Sequence, residues 1–78
     1  MPIPHPAPNP TPTLHLTVNG QPRPAPAGTT VADLLATSSL APDKVAVEVN
    51  RRLVRAADYG RVLADGDAVE IVTFVGGG

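Results

Sequence analysis

Apolar and polar positions alternate in three stretches of the chain. Leu14, Leu16 and Val18 are interleaved with His15 and Thr17; Val45, Val47 and Val49 with Ala46, Glu48 and Asn50; and Ala68 to Val75 is rich in Val and Ile. A period of two buries one face of a β-strand, so each stretch predicts a strand with one side turned inward. Asn19-Gly20 follows the first stretch directly and supplies the positive φ angles that a two-residue hairpin turn requires. The chain is therefore expected to fold back through Gln21 to Ala25. Pro22, Pro24 and Pro26 lie two apart in and just beyond that returning segment, so their missing N–H groups all face one way. A sheet tolerates this only where that side meets solvent, which predicts an edge strand.

A different period appears after residue 30. Thr30 is placed to cap a helix, Asp33 puts acidic charge in its first turn, and Val31, Leu34 and Leu35 fall at i, i+3 and i+4. The helix is expected to end near Ser38-Ser39, and Pro42-Asp43 breaks the chain. Arg51-Arg52 reads as a turn before a short fourth strand, Leu53-Val54, and Asp65-Gly66-Asp67 as a turn before the last strand. One helix packed across a mixed sheet of four to five strands would bury its stripe against Leu14, Leu16, Val18, Val47 and Ile71. This is an α+β roll, and its order of elements resembles the β-grasp, or ubiquitin-like, fold. With the last strand central, Val69 and Ile71 point to the helix and Glu70, Val72 and Phe74 share the open face. Val72 and Phe74 then form an exposed apolar patch near the chain end, and Phe74 is the only Phe in the sequence.

Composition narrows the function. The chain has 78 residues, enough for one small core, and six basic against seven acidic residues leave a net charge of -1. Without a long cationic run, nucleic acid is not expected as the main partner. The absence of cysteine removes disulfides, thiolate nucleophiles and Cys-based metal sites. No segment approaches the roughly 18 apolar residues of a membrane span, and no signal peptide is evident at the N-terminus, so a soluble, cytoplasmic chain is expected. Prolines at every second position from Pro2 to Pro12 predict an extended tail over residues 1–13, a spacer or a ligand for a groove-type module, ahead of a domain over 14–75.

Few side chains suggest a site of their own. His15 has outward parity and no evident partner, and reads as a surface histidine. Asp65, Asp67 and Glu70 lack the ligand spacing of a calcium loop, so no metal is expected. Arg51, Arg52 and Arg55 form a basic corner that reads as a solvated turn, with an acidic partner or RNA as the alternative.

The end of the chain is more informative. Gly76-Gly77-Gly78 follows a strong strand, and at an average glycine usage of about 7% such a triplet at a given place has a chance of roughly 3 in 10,000. A frayed terminus is one explanation. Three residues without Cβ also make a thin strip reaching about 10 Å, able to slide along a narrow channel and present the Gly78 carboxylate to a distant reactive centre.

Val18-Asn19-Gly20, Leu34-Leu35, Val45 to Asn50, Tyr59 and the stretch from Leu63 through Gly78, which ends V-E-I-V-T-F-V-G-G-G, resemble the sulfur carrier proteins of thiamine biosynthesis, the ThiS family. The proline tail, the prolines of the second strand and Arg51-Arg52 depart from the family pattern. The resemblance implies a carrier rather than an enzyme, with no bound cofactor. It further implies that an ATP-dependent, E1-like enzyme adenylates the Gly78 carboxylate. A persulfide donor of the cysteine desulfurase type then converts it to a thiocarboxylate that feeds thiazole synthase. Gly76 and Gly77 would form the channel-threading tail, and Val72, Phe74 and Val75 the partner-binding surface. Two alternatives stay open: a sibling carrier for molybdopterin, tRNA thiolation or lysine conjugation, and a β-grasp binding module whose glycines are idle.

Overall fold

The computed structural model describes residues 12–74. Residues 1–11 of the tail expected over residues 1–13, and Val75 with Gly76, Gly77 and Gly78, lie outside the described residues. Five strands, β1 (Thr13–Val18), β2 (Gln21–Pro26), β3 (Val45–Val49), β4 (Arg52–Val54) and β5 (Ala68–Thr73), form one sheet in the order β2-β1-β5-β3-β4. The helix α1 (Val31–Thr37) packs across one face. Chain order and sheet order together give the α+β roll that the alternation predicts, with β5 at the centre.

Local chemistry explains each element. Asn19 and Gly20 take φ angles of 52° and 79°, the paired positive values of the hairpin turn. In the β1–β2 register Leu16 faces Arg23 and Leu14 faces Ala25. These pairs carry the ladder bonds, so the ring nitrogens of Pro22, Pro24 and Pro26 turn to solvent at the sheet edge. Helix α1 opens with a capping box: Thr30 Oγ1 accepts from Asp33 N–H at 3.1 Å, and Asp33 Oδ2 accepts from Thr30 N–H at 3.0 Å. Val31, Leu34 and Leu35 are buried against Leu14, Leu16, Val47, Val69 and Ile71, with Val18 partly buried beside them. Each such aliphatic side chain contributes about 1.5–3 kcal/mol relative to exposure. Tyr59 and Leu63 close the core from the connection between β4 and β5.

Three boundaries differ from the pattern-based expectation. The turn between β3 and β4 is Asn50-Arg51, not Arg51-Arg52: both residues have positive φ, 53° and 68°, and Arg52 pairs with Val49 inside the ladder. The strand β5 ends at Thr73, before Phe74, because its partner β3 begins at Val45, opposite Thr73, just after the 3-10 turn Pro42–Lys44; the expected end at Val75 lies outside the described residues. At the other end β1 starts at Thr13, one residue early, and Ala27 N–H donates to the Pro12 carbonyl at 2.8 Å.

Candidate functional site

The central strand β5 leads toward the glycines, and its neighbours hold it in place. It is parallel to β1 through Thr17–Ala68 and Val18–Val69, and antiparallel to β3 along five residue pairs. The β1 pairing would stop at the hairpin turn, but Asn19 prolongs it. Its backbone N–H donates to the Val69 carbonyl at 2.9 Å, its Oδ1 accepts from Ile71 N–H at 2.7 Å, and its Nδ2 donates to the Ile71 carbonyl at 3.1 Å. The side-chain amide thus imitates one more strand residue. Asn50 does the equivalent at the start of β5: Oδ1 accepts from Ala68 N–H at 2.9 Å and Nδ2 donates to Asp67 Oδ1 at 2.9 Å. Sequence reasoning missed both side chains, although an Asn at a tight turn, where a positive φ is tolerated, was the available signal.

On β5, Val69 and Ile71 are buried, whereas Val72 is 60% exposed and Phe74, the next residue but one, 57% exposed. The expected parity therefore holds for both apolar residues. Val72 stands opposite Ala46, and Phe74, just past the strand, donates its N–H to the Lys44 carbonyl at 2.9 Å. The structure brings these two predicted docking residues to one end of the open face. The other predicted site residues, Val75, Gly76, Gly77 and Gly78, lie outside the described residues. Farther along the same face Glu48 and Glu70 sit directly opposite each other, a like-charge pair that opposes strand pairing.

The remaining candidates have structural tasks. His15 does have a carboxylate partner, contrary to expectation: Asp65 Oδ1 accepts from the His15 backbone N–H at 2.6 Å and lies 3.0 Å from Nδ1. The backbone bond, followed by the ring contact, lowers the Asp65 pKa below its ordinary value. Together with Gly66 N–H, which donates to the His15 carbonyl at 3.0 Å, Asp65 fastens the loop before β5 to β1. Asp67 Oδ2 accepts from Ala64 N–H at 2.8 Å within that loop. Among the described residues no three His, Cys, Asp or Glu side chains are grouped to hold a metal ion, and no helix is long and apolar enough to cross a membrane.

A mixed five-stranded sheet with one helix across it and a central strand leading to the chain end defines a ubiquitin-like β-grasp protein. The profile of the ThiS family matches residues 16–78, and the chain belongs to that family. The family's members are sulfur carriers of thiamine biosynthesis, carrier proteins and not catalysts. A crystal structure of the thiamine biosynthesis protein ThiS from Geobacter metallireducens is 36% identical, with a TM-score of 0.64, over 83% of this chain and 100% of that one. An NMR structure of a thiamine biosynthesis protein from the same organism is 35% identical with a TM-score of 0.67, over 83% and 88%. The sulfur carrier protein ThiS of Bacillus subtilis is 46% identical over 50 residues, 63% of this chain and 76% of that protein. A thiazole synthase from Magnetococcus marinus is 49% identical over 53 residues, which are 67% of this chain but only 16% of that protein.

Proposed function

We propose that this chain carries sulfur for thiamine biosynthesis as a thiocarboxylate on Gly78. The supporting observation is the family match, which extends through Gly78 and takes in the central strand that leads to the glycines. A C-terminal carboxyl, with a reference pKa near 3.5, is ionised at neutral pH, so its oxygen can attack phosphorus while its carbon resists attack. An E1-like enzyme would let it attack the α-phosphorus of ATP, expelling pyrophosphate and leaving an acyl-adenylate. The outer sulfur of a persulfide from a cysteine desulfurase system would then attack the acyl carbon and expel AMP, giving an acyl disulfide. A second thiol, as the two-electron reductant, would attack the donor's sulfur, forming a disulfide with it and releasing the thiocarboxylate. The protein-bound thiocarboxylate keeps reactive sulfide out of solution, and this chemistry needs no cysteine in the carrier. Thiazole synthase is the proposed acceptor, supported by the similarity to a member of that enzyme class. Dependence on ATP and on an intracellular sulfur donor makes the cytoplasm the proposed compartment.

In this reading Gly76 and Gly77 thread the partner's channel, and Val72, Phe74 and Val75 dock against its surface. The exposure of Val72 and Phe74 on one face supports that assignment. The test is the position of the carboxylate. One added residue displaces it by about 3.5 Å, and deleting Gly78 withdraws it equally, against a contact of about 3 Å needed for attack. Either change is expected to abolish ATP–pyrophosphate exchange with the adenylating enzyme while the melting temperature stays unchanged. Intact mass after incubation with ATP, that enzyme and a persulfide donor should show exchange of one oxygen for sulfur in the parent only. Normal exchange by the extended protein would overturn the proposal.

A further inference from the structure

We propose that the groove between β4 and residues 61–64 docks an extended, acidic segment of a partner protein. Residues 51–61 hold four of the chain's six basic residues, Arg51, Arg52, Arg55 and Arg61, against one acid, Asp58. That segment carries +3 (four minus one) in a chain whose net charge is -1. Among the described residues the one ion pair is His15–Asp65, so none of these arginines has a carboxylate within 4.0 Å. The groove has a volume of about 450 Å³, with Arg52, Leu53 and Val54 on one wall and Arg61, Val62 and Leu63 on the other. Leu53 is 68% and Val62 59% exposed, which adds apolar surface at the groove's margins, Leu53 alternating in face with Arg52 and Val54. Asp67 also lines the groove, its carboxylate held by hydrogen bonds from Asn50 and Ala64, so with Arg52 and Arg61 the lining keeps a net positive charge of one.

The backbone adds direction. Arg52 pairs with Val49 and Val54 with Val47 across the two-residue turn, which makes these the hydrogen-bonded pairs. Leu53 is the intervening non-bonded position, so its N–H and C=O point away from β3 over the free edge. An extended segment can bridge to that amide pair. Arg51 supplies a further argument. It sits at φ 68°, a conformation glycine adopts without strain and a side chain does not. Arginine at this turn is therefore held against the local conformational preference; Arg51 does not itself line the groove, but it adds its charge next to Arg52, which does. The occupant is a polypeptide and not RNA, because an RNA strand calls for exposed aromatic faces to stack its bases. Tyr59 is buried, and Phe74 belongs to the open face at the far end of the sheet.

The experiment titrates the 15N-labelled full-length chain with an acetylated, amidated Glu-Leu-Glu-Leu-Glu peptide. Saturable shifts centred on the Leu53 and Val62 amides are expected, with affinity falling about tenfold or more between roughly 0.05 and 0.5 M salt as screening shortens. The double variant Arg52→Glu, Arg61→Glu should lose the peptide and gain a Lys-Leu-Lys-Leu-Lys analogue. Arg51→Gly should raise the unfolding midpoint yet bind the acidic peptide several-fold more weakly, which separates docking from folding. Absence of saturable shifts at Leu53 and Val62, equal binding of the lysine peptide by the parent, or tighter binding of a single-stranded oligouridine would each overturn the proposal.

Discussion

Asn19 serves two functions that a smaller residue could not combine. Its backbone takes the positive φ of the hairpin turn, and its side chain makes two hydrogen bonds to Ile71 that prolong the β1–β5 pairing. Asn19→Gly separates them, since glycine keeps the turn and loses the amide. Two bonds at about 0.5–1.5 kcal/mol each set the expected loss at about 1–3 kcal/mol in urea unfolding. A loss of a few tenths would mean that water replaces the amide at no cost. Asp65 gives a test in pH. Its carboxylate is held ionised by the His15 N–H, so its pKa is lower in the folded than in the unfolded state. A depressed acid stabilises the fold above the unfolded pKa, about 3.9, and that contribution disappears as pH falls through the lower folded value. The stability difference between parent and Asp65→Asn should therefore shrink as pH falls below about 4. A difference that does not change with pH would remove the ionised carboxylate from the account.

At the scale of strands and helix, elements whose evidence is local were legible in the sequence. Alternation marked β1, β3 and β5 and sorted their faces, the Asn-Gly turn marked the first hairpin, and the spacing of Val31, Leu34 and Leu35 marked α1. The turn at Asn50-Arg51 was displaced by one residue because arginine is a poor occupant of positive φ, and two adjacent arginines look like the turn itself. The His15–Asp65 contact spans fifty positions, and no local pattern encodes a pairing at that separation. The same reason hid the groove, whose walls join only in the folded chain. The exposed apolar patch was legible because strand parity alone puts Val72 and Phe74 on the side away from the helix. Phe74→Asp tests its role. With the side chain more than half exposed, unfolding should be little affected, while binding to the adenylating enzyme and to the sulfur acceptor should weaken by about 1 kcal/mol or more. A variant that unfolds, or one that binds like the parent, would remove Phe74 from the interface.

For the whole molecule the question is how much of the chain the fold uses. A domain of roughly sixty residues buries a modest fraction of its surface and is stable by only a few kcal/mol, so one hydrogen bond at its margin is measurable. The described fold begins with such a bond. The Pro12 carbonyl accepts from Ala27 N–H at 2.8 Å, and Thr13 pairs with Pro26 as the first rung of β1. Two truncations one step apart therefore have different expected outcomes. Removing residues 1–11 keeps Pro12 and should leave the urea midpoint and thiocarboxylate formation as in the full chain. Removing residues 1–13 deprives Ala27 of its acceptor and opens the ladder beside the proline-bearing edge strand, at a cost of about 1 kcal/mol, while thiocarboxylate formation persists. Equal losses in the two truncations would show that the alternating prolines themselves pack on the domain. No loss in either would show that the strand frays to Leu14 without consequence.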